Sequence, residues 1–272
     1  MHNILAIMGS PRKGDTYHLT RQIEATMSGL GDVGFDYLWL RDADLRMCRG
    51  CCACFERGEE HCPLDDDRAE IEQRILAANG VIFASPVYAL GMTALMKNLL
   101  DRFAYALHRP RFFDQKALIV VSAGAAGVRV TQKSLAYVRY MGFDMSGGRV
   151  GLTMLPKPWT QAELRAVHVE TQRAGRRFFR ALQHHGHRAP SFMETAYFRL
   201  QQAAFAVNRE EQPTDYEYFA ERGWLNPARK WYVDAPVNPF YDLAARAVAG
   251  FVRRQALGRQ RTLKEEAPRR KE

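Results

Sequence analysis

Short apolar runs alternate with longer segments of helical periodicity between residues 4 and 185, and this alternation constrains the fold of the 272-residue chain more than any other feature. The predicted strands are Ile4–Met8, Phe35–Leu40, Val81–Ala84, Ala117–Val121 and Val150–Leu155. The predicted helices are Thr16–Met27, Asp65–Ala78, Thr93–Leu107, Val128–Met141 and Gln161–His185. Strands that alternate with helices of this length indicate βαβ units, in which helices cover both faces of a parallel sheet.

Five such strands predict an α/β fold with a doubly wound, flavodoxin-like parallel sheet of order 2-1-3-4-5. We place this domain at residues 1–186. The chain changes character after Gly186, because residues 187–258 lack strand alternation and are rich in aromatic side chains. They predict a C-terminal helical extension, and residues 259–272 predict a basic, disordered tail.

The formal charge of +9 is concentrated at one end of the chain. Residues 253–272 hold eight Lys and Arg against three Glu. A basic chain raises the question of nucleic acid, but an excess in a polar tail predicts a solvated segment, so we expect no nucleic-acid partner. The weakly polar run Ala117–Val128 is shorter than the ~20 residues of a spanning helix. No basic leader precedes the first apolar run, so we expect a cytoplasmic protein without stable membrane insertion.

The predicted extension contains one apolar helical stripe, formed by Phe240, Leu243, Ala244, Ala247, Val248 and Phe251. Arg246, Arg253 and Arg254 flank it. A stripe of this kind packs on the core of its own protein or on another subunit. It could also lie on an anionic membrane, although packing on the protein's own core is the favoured interpretation.

Ligands of doubly wound sheets bind beyond the carboxyl ends of the strands, where three loops carry unusual residues. The first, Gly9–Thr16, connects a strand to a helix. Its small residues, its hydroxyl groups, Arg12 and Lys13 would suit a phosphate monoester. The alternative is an ordinary polar turn that Asp15 caps.

The second loop, Ser85–Met92, offers the rigid Pro86, the aromatic face of Tyr88 and backbone amides near Gly91. These features suit a flat ring with polar edges, and the alternative is an ordinary turn with a packed tyrosine. The third loop, Ser122–Gly127, is built of residues small enough to let a cofactor pass close to the backbone.

All five cysteines fall within 15 residues, at Cys48, Cys51, Cys52, Cys54 and Cys62. This clustering favours a metal or redox site over a disulfide framework. Closely spaced cysteines with a more distant fourth one are typical of iron–sulfur ligation, whereas structural zinc prefers two separated pairs. Reduced surface thiols are the third interpretation. Cys52 does not fit the three-residue spacing of Cys48, Cys51 and Cys54. We interpret His61, which precedes Cys62, as a loop residue.

Three sequence motifs resemble those of the flavodoxin-like NAD(P)H-dependent FMN reductases: Gly9–Lys13, Ser85–Tyr88 and Met96–Arg102. The run Cys48-x2-Cys51-x2-Cys54-x7-Cys62, followed by Asp65 and Asp66, resembles the iron–sulfur flavoprotein branch of that family. The resemblance covers roughly residues 1–155.

The resemblance implies bound FMN and residues that hold it. Its phosphate would lie on Ser10, Arg12, Lys13 and Thr16. Its ring would lie against Pro86, Val87, Tyr88, Leu90 and Gly91, beside Ser122 and Gly124. Cys48, Cys51, Cys54 and Cys62 would bind a 4Fe-4S cluster.

One residue departs from the family pattern. The family often has Asn before the loop threonine, where this chain has Asp15. Because a carboxylate repels a phosphate, Asp15 either caps the helix or lowers the affinity for phosphate.

The resemblance predicts an FMN-dependent NAD(P)H oxidoreductase that passes electrons to a small-molecule or protein acceptor and needs no acid–base triad. The alternative is an iron–sulfur flavoprotein that exchanges electrons with ferredoxin-like proteins. A third hypothesis is a basic membrane or nucleic-acid binder without a redox role. The resemblance also implies a homo-oligomer, dimer or tetramer, because the family's FMN often lies at a subunit interface.

Overall fold

A computed structural model describes residues 1–154 and 158–266. The chain forms two compact units. Unit 1 comprises Met1–Gly50 and Leu64–His185, and unit 2 comprises Cys51–Pro63 and the described residues from Gly186 onward. The sequence prediction placed a boundary at the same point near residue 186, but it assigned the segment 51–63 to the first domain.

Unit 1 is built on a sheet whose five parallel strands are β1 (His2–Met8), β2 (Val33–Trp39), β3 (Gly80–Tyr88), β5 (Lys116–Ala123) and β6 (Asp144–Thr153). Their order is β2-β1-β3-β5-β6. A two-residue strand, β4 (Gly91–Met92), pairs antiparallel with the end of β3. In chain order the five parallel strands have the predicted order 2-1-3-4-5, so the flavodoxin-like fold is confirmed. Leu155, the last residue of the fifth predicted strand, lies outside the described residues.

The helices follow the predicted pattern with two divisions. Those of unit 1 are α1 (Asp15–Ser28), α3 (Arg68–Ala77), α4 (Ala94–Arg102), α5 (Tyr105–His108), α6 (Val128–Leu135) and α7 (Gln161–Gln183). Those of unit 2 are α2 (Ala53–Glu56), α8 (Phe192–Val207), α9 (Pro213–Glu221) and α10 (Pro239–Glu266). The single helix predicted over Thr93–Leu107 is divided into α4 and α5. The helix predicted over Val128–Met141 is divided into α6 and a 3-10 helix, Ala136–Met141.

The central strands β1, β3 and β5 are largely apolar because both faces of the sheet are buried there. In β1, Ile4, Ala6 and Met8 belong to the core formed with α1 and α7. Leu5 and Ile7 are buried on the opposite face. Apolar residues therefore follow one another in β1, whereas they would alternate with polar residues in a strand with one exposed face.

Unit 2 has an aromatic core of its own. Its buried aromatic residues are Phe198, Phe205, Phe219, Trp224 and Tyr232. The rings of Trp224 and Tyr232 meet edge to face at 4.8 Å, and the indole N–H of Trp224 donates to the Tyr232 carbonyl at 2.8 Å. These contacts confirm that the extension is helical and rich in aromatic residues.

The last helix continues into the segment predicted to be a disordered tail. Residues 259–266 belong to α10, and residues 267–272 lie outside the described part of the chain. Among the described residues, no helix combines the length and hydropathy that crossing a membrane requires.

Candidate functional site

The three predicted loops meet at the carboxyl edge of the sheet. The backbone N–H of Gly9, just past β1, donates to the Ala84 carbonyl of β3 at 2.8 Å. The buried hydroxyls of Thr16 and Ser122 lie 2.6 Å apart, which joins the first loop to the third. The site lies where the chain order reverses between β1 and β3, as a doubly wound sheet predicts.

The first loop is shaped by its own hydrogen bonds. The Ser10 hydroxyl donates to the Arg12 carbonyl at 2.7 Å and accepts from the Arg12 backbone N–H at 3.3 Å. The Gly14 N–H donates to the same carbonyl at 2.9 Å. A serine hydroxyl carries one hydrogen, and Ser10 uses it in the bond to the Arg12 carbonyl. This bond holds the turn closed. Arg12 and Lys13 are exposed on its outer side.

Helix α1 starts from this loop without a side-chain cap. Gly14 occupies the N-cap position, and Asp15 is the first helical residue. The interpretation of Asp15 as the cap is therefore wrong, and its carboxylate instead lies in the first turn, where it interacts favourably with the helix dipole. The first backbone N–H groups of a helix have no acceptor within the helix, which leaves this end suited to an anion.

Two residues at the end of β2 line the first loop and were missed in the sequence. The ammonium of Lys13 lies 5.9 Å from the ring centre of Trp39, and the Arg41 guanidinium lies 5.0 Å from the same ring. Arg41 also donates to the Pro11 carbonyl at 2.9 Å. Because β2 is the neighbour of β1 in the predicted order, its carboxyl end was the place to look for such residues.

The second predicted loop is a β-hairpin. Strand β3 runs through Pro86 and Val87 to Tyr88, which pairs with Gly91 at the start of β4. Between them Ala89 and Leu90 have φ values of +46° and +65°. A two-residue hairpin loop with two positive φ angles normally contains Asn or Gly, so this turn is strained.

The hairpin exposes two of the residues that the resemblance assigns to a ring. Tyr88 is 44% exposed and Leu90 64% exposed. Pro86, Val87 and Gly91 are half-buried.

Two glycines of the third loop show how closely it approaches the hairpin. At Gly127, where φ is +94°, a Cβ would lie 2.6 Å from the Val87 side chain and 3.1 Å from Leu90. A Cβ on Gly124 would meet no atom within 4 Å. The third loop therefore packs closely on the hairpin at one end and leaves open space beside the backbone at the other.

Thr93 ties the hairpin to the first loop, and its role was also missed. Its buried hydroxyl donates to the Gly9 carbonyl at 2.7 Å and accepts from the Met96 N–H at 3.2 Å. Its backbone N–H donates to the Ser85 hydroxyl at 3.2 Å. A threonine before a predicted helix is a helix-cap signal, so this position could have been found.

The motif Met96–Arg102 clamps the segment that leads to Cys48. The Asn98 side chain donates to the Leu45 carbonyl at 2.9 Å and accepts from the Cys48 N–H at 3.0 Å. Arg102 donates to the Arg46 carbonyl at 2.8 Å. Asp101 instead pairs with Lys97 on the surface of α4.

Arg102 forms a buried ion pair with Asp66, one of the two acidic residues that follow the cysteine run. Burial acts to raise the pKa of Asp66, but hydrogen bonds from Arg102 and from the backbone N–H groups of Arg46 and Arg68 outweigh it and hold the pKa below its ordinary value. The carboxylate thus serves as an anchor for two backbone segments.

No disulfide bond joins any of the five cysteines. Cys48 belongs to unit 1, and the other four belong to unit 2. Among the residues that the structure describes, no three His, Cys, Asp or Glu side chains are grouped so that they could hold a metal ion. The side chains as they lie here do not fit a cluster, so we derive no step through one.

Within unit 2 the cysteine segment is ordered by local contacts. Cys52 has a φ of +59° and starts the short helix α2. The Thr214 hydroxyl donates to the Glu56 carbonyl at 2.9 Å and so anchors α2 to the start of α9. The His61 ring lies 3.2 Å from the Glu60 carboxylate, as suits a loop histidine.

Comparison with known proteins gives a family match over the first half of the chain. The NADPH-dependent FMN reductase family matches residues 2–152. An iron–sulfur flavoprotein of Methanocaldococcus jannaschii is 37% identical over 102 residues, which are 36% of this chain and 50% of that protein. One of Methanosarcina thermophila is 36% identical over 111 residues, 40% of this chain and 56% of that protein. The chain thus spans about half the length of these relatives.

The fold extends further than the sequence match. The crystal structure of RosB with bound 8-demethyl-8-formylriboflavin-5′-phosphate aligns with a TM-score of 0.55 and 12% identity. The alignment covers 88% of this chain and 92% of RosB. At this identity the likeness establishes the fold alone.

Proposed function

The chain belongs to the NADPH-dependent FMN reductase family, and from that premise we propose that it is an FMN-dependent NAD(P)H oxidoreductase. One observation carries the proposal. The loop before α1 is bonded to the third loop through Thr16 and Ser122, beside a hairpin that exposes Tyr88 and Leu90. The proposed phosphate site and the proposed surface for a flat ring would therefore adjoin each other at one sheet edge.

The phosphate would bind at the N-terminus of α1. Arg12 and Lys13 would supply full positive charges, and the backbone N–H groups of the first turn would donate hydrogen bonds. Thr16 and Ser122 share one hydrogen bond but carry two hydroxyl hydrogens, so one of them keeps a donor for a phosphate oxygen. The Ser10 hydroxyl would keep the loop closed around the anion.

The ring would lie against the hairpin. Tyr88 and Leu90 would cover one face with apolar surface, while the backbone near Gly91 would bond its polar edge. The open space beside Gly124 would let the ring approach the third loop closely. When bound, FMN would accept hydride from NAD(P)H and release electrons to an acceptor. The chain's own residues would bind it, orient it and cover part of it.

A titration of the purified full chain with FMN tests the proposal. We expect saturable binding, with riboflavin bound at least about tenfold more weakly because it lacks the phosphate. The double variant Arg12→Gln/Lys13→Gln should lose most of this preference, whereas Arg21→Gln on the exposed side of α1 is the matched control. The bound protein should oxidise NADPH or NADH. A chain indifferent to FMN would refute the proposal.

A second candidate function is electron transfer through an iron–sulfur cluster. It is supported by the cysteine spacing and by the names of the two relatives. We propose Cys48, Cys51, Cys54 and Cys62 as ligands of a 4Fe-4S cluster, which these side chains would have to rearrange to bind, and Cys52 as a non-ligand. Iron and sulfide assays on anaerobically purified protein test this assignment. Single Cys→Ala changes at the four positions should abolish iron binding, and Cys52→Ala should not; protein without iron would refute it.

The acceptor and the assembly complete the proposal. We propose a small-molecule or protein electron acceptor, and a homo-oligomer as the family resemblance implies. Sedimentation velocity of the FMN-loaded chain measures the assembly, and a monomer at all concentrations would contradict it.

A further inference from the structure

Helix α10 buries a different face from the one that its apolar pattern suggests. Ala245 and Ala249 are buried, together with Asp242. The Asp242 carboxylate accepts a hydrogen bond at 2.7 Å from Arg199 of α8, which is itself buried. Small residues and an ion pair thus form the contact between α10 and α8 within unit 2.

The apolar stripe of α10 faces outward. Its larger members are Phe240, Leu243, Val248 and Phe251, which are 78%, 69%, 46% and 55% exposed. Their spacing puts them on one side of the helix, opposite the buried alanines. Packing on the protein's own core, the interpretation favoured from the sequence, is therefore wrong for this stripe. A continuous exposed apolar face of this length marks an interaction surface.

Helix α8 widens the apolar surface at the start of α10. Phe192 and Tyr241 meet edge to face at 5.8 Å, and the neighbouring Met193 is 61% exposed. The surface therefore includes both helices at this end of unit 2.

Basic residues lie along one flank of the stripe. Arg246, Arg253 and Arg254 are exposed, and the first two line an open cavity of about 300 Å³ with Ala249 and Gly250. Asp242 is the acidic group that faces them, and it is already paired with Arg199 and, at 3.0 Å, with Arg246. Arg253 and Arg254 thus leave a positive excess on this flank. In the sequence they belong to the basic segment 253–272, which holds eight Lys and Arg against three Glu.

We propose that α10 docks on an anionic lipid bilayer, with its apolar stripe in the interface and its arginines at the phosphate headgroups. A bilayer surface offers hydrocarbon and negative charge side by side, which is the arrangement that the helix presents. A second copy of the helix would bring like charges together, and a nucleic acid would offer no hydrocarbon to the phenylalanines. The 28 residues of α10 would extend about 42 Å along the surface.

Co-sedimentation of the full chain with lipid vesicles tests the proposal. We expect binding to vesicles that contain phosphatidylglycerol to exceed binding to pure phosphatidylcholine vesicles by at least about tenfold. The binding should weaken as the ionic strength rises, because headgroup attraction is screened.

Three variants separate the apolar and the charged contributions. Phe240→Ser/Leu243→Ser/Phe251→Ser and Arg253→Gln/Arg254→Gln should each lower anionic vesicle binding by at least about tenfold. Both should keep the circular dichroism and the FMN titration of the parent, since the changed side chains are exposed. The control is Leu30→Ser/Leu164→Ser, which removes two leucines 46% and 41% exposed in unit 1 and should bind like the parent.

Three outcomes would overturn the proposal. They are equal binding to neutral and anionic vesicles, unchanged binding by the apolar triple variant, and a parent dimer that the triple variant converts to monomer. The last outcome would assign the stripe to a second copy of the chain. Loss of FMN binding by the parent would refute the proposed reductase but would leave this docking surface untouched.

Discussion

Ala89 and Leu90 hold a backbone conformation that neither residue favours, and the surrounding contacts explain why it persists. The antiparallel pairing of Tyr88 with Gly91 closes the hairpin on one side, and Gly127 packs against Leu90 on the other. The left-handed region costs an L-residue about 1–2 kcal/mol. Strain of this kind is often retained at ligand sites, and in the proposed ring site the side chain that it would present is Leu90.

Replacing Leu90 by glycine should separate stability from binding. Leu90→Gly relieves the positive φ, so we expect the free energy of unfolding to rise by about 1 kcal/mol. It also removes an apolar side chain from the proposed ring site, so the Kd for FMN should increase about tenfold. Urea denaturation and an FMN titration measure the two effects.

Ala89→Gly is the matched control for this change. It relieves the same kind of strain but leaves the Leu90 side chain in place. We expect a similar gain in the free energy of unfolding and an unchanged Kd for FMN. If both variants bind FMN like the parent, Leu90 does not contact the ring.

The Asp66–Arg102 pair should matter far more than the neighbouring surface pair. The side chains of Asp66 and Arg102 are almost fully buried. Asp66→Asn takes from the buried Arg102 guanidinium the carboxylate that it pairs with, which costs about 3–5 kcal/mol. Asp101→Asn breaks the exposed pair with Lys97 and should cost less than about 1 kcal/mol. Comparable losses in urea denaturation would contradict this view of the clamp.

At the scale of single residues, the sequence predicted where the loops lie better than which residues contact them. The loops around Arg12, Tyr88 and Ser122 were predictable because small, hydroxyl-bearing and aromatic residues followed apolar strands. Trp39 and Arg41 were missed because their role depends on β2 lying beside β1, a tertiary contact. The clamp by Asn98 and Arg102 likewise joins segments about 50 residues apart in the chain.

At the scale of elements, proline misled the prediction of β3. The prediction ended the strand before Ser85 and Pro86, since proline cannot donate a ladder hydrogen bond. Strand β1 ends at Met8, opposite Ala84, so Pro86 lies beyond that neighbour while it still lies opposite Ser122 of β5. The missing donor therefore costs no bond on the β1 side, and the strand continues into the hairpin.

Periodicity predicted the last helix but not the face that it buries. The large residues of α10 form the stronger apolar pattern, whereas the face against α8 uses Ala245, Ala249 and Asp242. Alanines let two helices approach closely, and the Asp242–Arg199 pair satisfies the charges within the contact. A hydropathy pattern gives little weight to alanine and none to a buried ion pair.

The first residues of β5 and β6 are joined by an ion pair that should make stability depend on pH. The Lys116 ammonium lies 2.8 Å from the Asp144 carboxylate, and both are buried. Burial acts to raise the pKa of Asp144, but the hydrogen bond and the charge of Lys116 outweigh it and lower that pKa. The carboxylate therefore stabilises the folded state above its unfolded pKa, about 3.9, and the stabilisation is lost as the pH falls through the folded pKa.

Asp144→Asn should accordingly reduce the dependence of the free energy of unfolding on pH below about pH 5. We expect the free energy of unfolding of the parent to fall between about pH 5 and pH 2, and that of the variant to fall less steeply. The variant should also be less stable at neutral pH by about 3–5 kcal/mol, since the buried Lys116 ammonium loses the carboxylate that lies 2.8 Å from it. Asp32→Asn, at a largely exposed carboxylate, is the control. Parallel acid limbs for parent and Asp144→Asn would contradict the assignment.

At the scale of the whole molecule, the division into two units was only partly visible in the sequence. The change in composition after Gly186 marked one boundary. No change in composition indicates that residues 51–63 belong to unit 2, because their place there depends on contacts such as that of Thr214 with Glu56. A contact between residues 158 positions apart is set by the tertiary fold.

Each unit has its own core, and the proposed FMN residues all lie in unit 1. FMN should therefore raise the unfolding temperature of unit 1 and leave that of unit 2 unchanged. At a concentration about 100 times the Kd, the ligand stabilises its unit by about 2.7 kcal/mol, which corresponds to roughly 5–10 °C for a unit of this size. Differential scanning calorimetry gives the two transitions, and hydrogen exchange assigns them, with protection by FMN expected in peptides of residues 1–50 and 64–154. A single transition that moves as a whole would mean that the aromatic core of unit 2 unfolds together with the sheet.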